Sequence, residues 1–241
     1  MLKKRVVTVL TLLDGKLHRT RRFRPDYRYT HEKVDLWEAD ELVILDITRG
    51  QRGTATFHDA ATYFRDGAFV PVTYGGGIDS VAQAAKTLRE AADKVAVNTA
   101  ALARASFIDE IAKAYGSQAL VVSIDSAAGR VVADCTRRET GREVVAWARE
   151  AADRGAGEIL LNTVEKDGSL TGYDYDLIHR VSSAVRVPVM ALGGGGSWEH
   201  FRLAFEAGAD AACTQNIFHF TRASILAAKA YLGERGVPVR T

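Results

Sequence analysis

The chain has 241 residues, with 32 lysines and arginines against 30 aspartates and glutamates, a formal net charge of +2. That balance gives no reason to expect nucleic acid or an anionic membrane surface as a partner. The length suits one α/β barrel or two small domains, and Cys135 and Cys213 are too far apart in sequence to suggest a disulfide framework or a metal-ligand pair. A reducing cytoplasm is the expected compartment.

The opening MLKKRVVTVLTLLDG imitates a secretory signal, but its apolar run stops at Asp14 with no small-residue cleavage site, so it reads as a first strand. Further short apolar runs follow. With the first, Arg5 to Leu10, they predict eight strands: Glu41 to Ile47, Phe69 to Thr73, Asp93 to Val97, Ala119 to Ile124, Gly157 to Asn162, Val187 to Ala191 and Ala209 to Thr214. Segments with helical spacing lie between them, over Asp79 to Ala92, Phe107 to Tyr115, Arg142 to Arg154, Tyr175 to Ala184 and Ser197 to Glu206. Apolar strands alternating with helices imply a parallel sheet covered on its outer face. Eight such units fit a closed (β/α)8 barrel, the TIM barrel, better than an open doubly wound sheet. No stretch approaches the roughly 18 apolar residues of a membrane helix.

Two connections are long. The first, from Asp14 to about Thr30, carries Lys16, Arg19, Arg21, Arg22, Arg24 and Arg28, and reads either as a solvated basic loop or as a lid that recruits a phosphorylated ligand. The second follows Asp125, and RVVADCTRRETG within it predicts a short hairpin.

The chain also repeats itself. DELVILDIT, a glycine run at 75–77 and ADKVAVNTA are echoed by AGEILLNTV, a glycine run at 193–196 and ADAACTQNI, offset by about 117 residues. One domain over 1–241, made of half-barrels at about 1–117 and 118–241, is therefore expected. Glycines between a strand and a helix let backbone N–H groups approach an anion, so the two runs would face each other across one mouth and suit a ligand with phosphates at both ends.

Several side chains are candidates for chemistry. Asp125 and Asp46 end predicted strands, where a carboxylate serves as general acid or base, or caps a turn. Asp167 and Gly168 fit a turn, or a loop that offers backbone groups to phosphate. Asn98 and Thr99, and in the second half Gln215 and Asn216, occupy equivalent places after strands and have groups suited to phosphate oxygens. Arg5, Glu41, Lys94 and Glu158 fall at strand starts, at the opposite end, and read as surface ion pairs or as a mutually neutral ring. The six histidines form no metal-spaced pair, and no cofactor or nucleophile motif appears, so neither a metal nor a cofactor is expected.

DELVILDIT, YGGGI, ADKVAVNTA, YGSQALVVSID, RGAGEILLNTVEKDGSLTGYD and GGGGSWEHF together resemble the cyclase subunit of imidazole glycerol phosphate synthase. The resemblance implies an ammonia-dependent lyase or synthase that works with a glutaminase subunit on a phosphorylated sugar-type molecule. It implies phosphate binding by Gly77, Asn98 and Thr99 on one side and by Asp167, Gly168 and Gly194 on the other, with Asn216 where the family usually has a smaller hydroxyl residue. Asp125 becomes one of two acid/base aspartates, Arg19 stands in the place of a catalytic lysine, and Arg5, Glu41, Lys94 and Glu158 become a gate for ammonia.

The departure is Thr11, which stands where the family has its other catalytic aspartate; a hydroxyl does not supply carboxylate base chemistry near neutral pH. That substitution and FRPDYRY after strand one resemble the paralogues associated with amidation of surface-polysaccharide sugars. The expectation is a subunit of that kind, with a working histidine-pathway cyclase as the first alternative. A non-catalytic ligand-binding subunit that activates a glutaminase is the second.

Overall fold

The computed structural model describes residues 3–28, 39–48, 62–135, 138–215 and 225–240. Eight parallel strands form its centre: β1 (Arg5–Leu13), β4 (Glu41–Asp46), β5 (Val72–Gly75), β6 (Lys94–Val97), β7 (Leu120–Ala127), β10 (Glu158–Thr163), β11 (Val189–Leu192) and β12 (Ala211–Thr214). They pair in that order, β7 pairs β10 and β12 pairs β1, so the sheet closes into a (β/α)8 barrel. The outer layer contains α1 (Val81–Glu90), α2 (Thr99–Ala103), α3 (Ser106–Tyr115), α4 (Val144–Asp153), α5 (Tyr175–Ser182), α6 (Trp198–Glu206) and α7 (Ile225–Glu234), with a further helical stretch at 62–67. No helix among the described residues is long and apolar enough to cross a membrane.

Side chains alternate across each strand, and the two faces have separate cores. Val6, Leu10, Leu42, Ile44, Val122, Ile124, Ile159 and Leu161 point outward and pack with helix residues such as Phe107, Trp147 and Phe201. Val7, Val9, Val43, Ala96, Val121, Leu160, Met190 and Cys213 pack together in the barrel interior. The same parity that brings Val7 and Val9 inside also applies to Arg5 below them and Thr11 above. It likewise relates Lys94 to Asn98, Glu158 to Asn162, and Val121 to Asp125. Charge at one end and polar groups at the other are thus written on the same inward rows.

The glycine runs perform the same local task in both halves. Gly76 and Gly193 have φ of 118° and 97°. A Cβ at either would stand 2.4 Å from a carbonyl oxygen at the end of the neighbouring strand, that of Asp46 or of Thr163. Only glycine permits that approach together with that φ. Three residues beyond the next glycine in each run, Ser80 and Ser197 cap α1 and α6 by accepting the N–H of Gln83 and His200.

Strands one and five of the barrel each continue into an antiparallel hairpin. After β7 this is β8 (Arg130–Ala133) and β9 (Arg138–Glu143), where a hairpin was expected. After β1 it is β2 (Lys16–Arg21) and β3 (Arg24–Arg28), in place of the expected loop. The lid alternative anticipated a cover over the mouth but not its strand pairing. Arg22 and Phe23 form the two-residue tip with φ of 53° and 56°, the signs of a type I′ turn, in which glycine or asparagine is the usual choice.

Candidate active site

The C-terminal ends of the strands surround a cavity of about 260 Å³, whose lining includes Asp125, Asn98, Thr99, Gly77, Leu45 and Phe23. Asp125 is its chemical centre. One carboxylate oxygen accepts the side-chain N–H of Asn98 and the other that of Asn162, both at 2.8 Å. β7 and β10 put Asn162 directly beside Asp125 in register. Asp125 is buried, and burial pushes its carboxyl up to about 6 against the lowering effect of Asn162 and Asn98, with nearby Asp167 adding to the rise. A carboxyl with that value changes protonation state close to neutral pH and suits acid/base work. The side-chain oxygens of Asn98 and Asn162 are buried without a partner among the described residues, leaving acceptors beside the carboxylate for a ligand that donates hydrogen.

Gly77, Asn98 and Thr99 therefore share one cavity with Asp125. Thr99 accepts the backbone N–H of Asp134 at 3.3 Å. Asp46 also borders the cavity, and one of its oxygens accepts the N–H of Thr48 at 2.7 Å, which is capping of a turn.

Asp167, Gly168 and Gly194 are elsewhere. The tip of the β2–β3 hairpin lies on Asp167: Phe23 N–H donates to its carboxylate at 2.8 Å and Arg22 N–H donates to its carbonyl at 3.1 Å. Burial raises the Asp167 carboxyl above the usual carboxylate range, opposed by Phe23, Thr20 and Arg19. Arg19 donates to Gly168 O at 3.3 Å, and a Cβ at Gly168 would meet Thr20 O at 2.8 Å. Gly194 packs against the carbonyl of Gly172. Asn216 lies outside the described residues.

Thr11 lies near the top of the inward row of β1, one inward position below Leu13, and is 1% exposed. Its hydroxyl donates to His18 O and accepts from the side-chain amide of Gln215. Gln215 Oε1 accepts the Thr20 hydroxyl at 3.0 Å and the Thr20 N–H at 3.3 Å. Gln215, proposed from sequence as a phosphate ligand, is here a strut for the hairpin. Asp14 is exposed in the turn between β1 and β2 with φ of 50°, so it does not restore a carboxylate to the inward row. Asn162, Phe23 and Thr20 are the site residues that sequence reasoning missed. Asn162 had a readable signal, since it shares the inward parity of Glu158.

At the other end the four strand-start charges meet. Arg5 contacts Glu41 at 2.6 Å and Glu158 at 3.0 Å; Lys94 contacts Glu41 at 2.5 Å and Glu158 at 2.6 Å. Cations and anions alternate around a closed ring. Arg5, Glu41 and Glu158 are all buried, which corrects the reading as surface pairs. Burial opposes ionisation of Arg5 and Glu158, but their opposite charges win, raising the guanidinium and holding the Glu158 carboxyl below its ordinary value.

Residues 4–224 match the family model described as histidine biosynthesis protein. The chain belongs to that family. An imidazole glycerol phosphate synthase subunit HisF from Geobacillus kaustophilus is 43% identical over 253 aligned residues, covering 100% of both chains. Its counterpart of the same name in Pyrobaculum aerophilum is 45% identical over 206 residues, covering 84% of this chain and 81% of its own, and one from an Arthrobacter species is 44% identical, covering 86% and 85%. Membership in the histidine biosynthesis family accounts for the barrel and makes a synthase or cyclase the class of enzyme to which these relatives point. None of these names refers to sugar amidation, so the narrower paralogue expectation draws no support from them.

Proposed function

We propose that this chain is the ammonia-using barrel subunit of a two-part glutamine-dependent synthase, with a glutaminase as partner and a phosphorylated small molecule as acceptor. The observation that carries this reading is the arrangement of one set of inward rows. A buried carboxyl with two amide donors stands at the mouth, and a self-neutralising charge ring stands at the foot. Between them is a lining of small and medium apolar side chains, including Val7, Ala96, Val121 and Ala211. Ammonia is small, neutral in its reactive form and a hydrogen donor, which suits an apolar path ending at the spare acceptors of Asn98 and Asn162. Asp125 is the acid/base group, and Gly77, Asn98 and Thr99 form the phosphate side of its cavity. Arg5, Glu41, Lys94 and Glu158 are the gate, which must part for ammonia to pass.

Two acceptors remain in view, each with its own support. The names of the relatives favour formation of imidazole glycerol phosphate in histidine biosynthesis. Thr11 favours a paralogue acting on a phosphorylated or nucleotide-linked sugar derivative, because its inward row offers no second carboxylate at the mouth. The test is nitrogen-15 transfer by the purified chain, with ammonium salt and separately with a co-expressed glutaminase and labelled glutamine. The phosphoribulosyl intermediate of the histidine pathway and a panel of sugar phosphates and nucleotide sugars serve as acceptors. Label in the imidazole product supports the first, and label in a sugar supports the second. Label in neither defeats the synthase reading and leaves a subunit that only binds and activates a glutaminase.

A further inference from the structure

The two sides of the mouth are not equally available. On the side of Gly77, Asn98 and Thr99 there is a cavity of about 260 Å³. That is just under the usual range for small-molecule pockets, about 300–1,000 Å³. On the side of Asp167 and Gly168 the corresponding space holds protein: the backbone of Thr20 and Arg21 lies on Gly168, and the amides of Arg22 and Phe23 are bonded to Asp167.

A continuous set of side-chain bonds holds the hairpin there. Thr11 gives its hydroxyl hydrogen to His18 O and takes one from Gln215, and Gln215 in turn takes both hydrogens of Thr20. Thr11 donates to β2 and accepts from Gln215, just beyond β12, while Gln215 also donates to His18 O at 3.0 Å, so both side chains use donors and acceptors together. A carboxylate at position 11 would offer acceptors alone and would repel the His18 carbonyl. The hairpin tip is further held in a backbone form unfavourable for arginine and phenylalanine, which persists only where surrounding bonds impose it. Phe23, nearly buried, roofs the open cavity from this fixed tip.

We infer that Thr11 and Gln215 are a latch that fastens the β2–β3 hairpin over the Asp167–Gly168 side, so that the mouth selects a ligand with one anionic end and disfavours one with two. Thr11 is then a positioning residue that determines specificity. A two-ended ligand has to displace the hairpin, and its apparent affinity falls by the fraction of molecules in which the hairpin is away. This inference rests on the reading of the Gly77–Asn98–Thr99 side as a phosphate site.

The experiment uses the full chain, with ribose 5-phosphate and ribulose 1,5-bisphosphate as probes in calorimetry. Hydrogen exchange at the amides of Arg22 and Phe23 reads the latch without any ligand. The wild-type chain is expected to bind the bisphosphate no more than about threefold tighter than the monophosphate and to protect both amides. Thr11→Val, which keeps the shape and loses the hydroxyl, should speed exchange at Phe23 by tenfold or more and raise the preference for the bisphosphate by a similar factor. Thr11→Ser should restore both, and Thr20→Val provides a second way to cut the latch should Thr11→Val fold poorly. Unchanged exchange in both valine variants overturns the latch. A wild-type preference of tenfold or more for the bisphosphate, with the amides still protected, overturns the one-anion selectivity while leaving the phosphate reading intact. Failure of every variant to bind either probe overturns the phosphate reading and the selectivity built on it, and exchange still reports on the hairpin.

Discussion

Two carboxylates on neighbouring strands, Glu158 at the foot of the barrel and Asp125 at its mouth, are both buried, yet their surroundings push them in opposite directions. Glu158 has Arg5 and Lys94 and is held ionised. Asp125 has two neutral amides and sits near the point where a proton is easily gained or lost. Burial penalises charge at both ends; only a full opposite charge outweighs it. The foot is therefore built to stay fixed in charge, and the mouth to change it.

The largest expected effect separates those roles. Asp125→Asn keeps the shape and removes the titrating group, so nitrogen transfer should drop by about 100-fold or more. The same variant relieves a desolvated carboxyl, so its denaturant midpoint should match or exceed that of the wild type. A loss of activity explained by a lower midpoint would collapse the distinction.

Arg5→Met applies the opposite operation. It leaves Glu41 and Glu158 facing one remaining cation, and stripping a partner from a buried ion network costs about 3–5 kcal/mol. Urea unfolding checks the figure; a cost below about 1 kcal/mol, the range of exposed pairs, would mean that the ring is solvated in solution.

The pH dependence sharpens the contrast further. Asp125 titrates at about 6 in the fold and near 3.9 in an unfolded chain. Between those values the unfolded chain gives up the proton while the native state keeps it, so this group makes stability fall as pH rises from about 4 to about 6, by something on the order of 3 kcal/mol. Above that window its contribution is constant. Glu158, held below its ordinary value of 4.5, acts with the opposite sign: its contribution is complete above that value and is lost as pH falls through the folded value. Midpoints measured from pH 3 to 8 in the wild type and in Asp125→Asn should differ in slope between about pH 4 and 6, the variant lacking the fall. Parallel curves would mean that Asp125 ionises like an exposed aspartate.

The same physics explains what the sequence discloses. Barrel strands such as LVILD and EILLN are apolar on both faces because both faces are buried, so they stand out as runs, and the glycine turns repeat because the geometry that forbids a Cβ at Gly76 recurs at Gly193. The β2–β3 hairpin is hidden for the converse reason. Of KLHRTR only Leu17 and Thr20 are buried, and RPDYR is exposed throughout, so neither has the alternation that marks a strand. Its tip, Arg22–Phe23, lacks the glycine or asparagine that would signal a two-residue turn, because bonds from Asp167, distant in sequence, hold it in place. Whether Thr11 meets a substrate or a hairpin is invisible until that hairpin is placed.

The smallest expected effect lies one residue from one of the largest. Lys4 precedes Arg5, and strand parity turns it away from the ring towards Asp210, which it meets at 3.2 Å with side-chain exposures of 17% and 35%. It also donates to Ala209 O at 2.7 Å. Water reaches this pair, and partly exposed pairs contribute about 1 kcal/mol or less. Lys4→Met should therefore lower stability by no more than about that amount and should be sensitive to salt, whereas Arg5→Met should be largely indifferent to it, since screening reaches a buried ring poorly. Measuring both in low salt and in 0.5 M sodium chloride isolates the cause. If Lys4→Met costs as much as Arg5→Met in both, proximity to the barrel foot, and not burial within the ring, governs the energetics of this end.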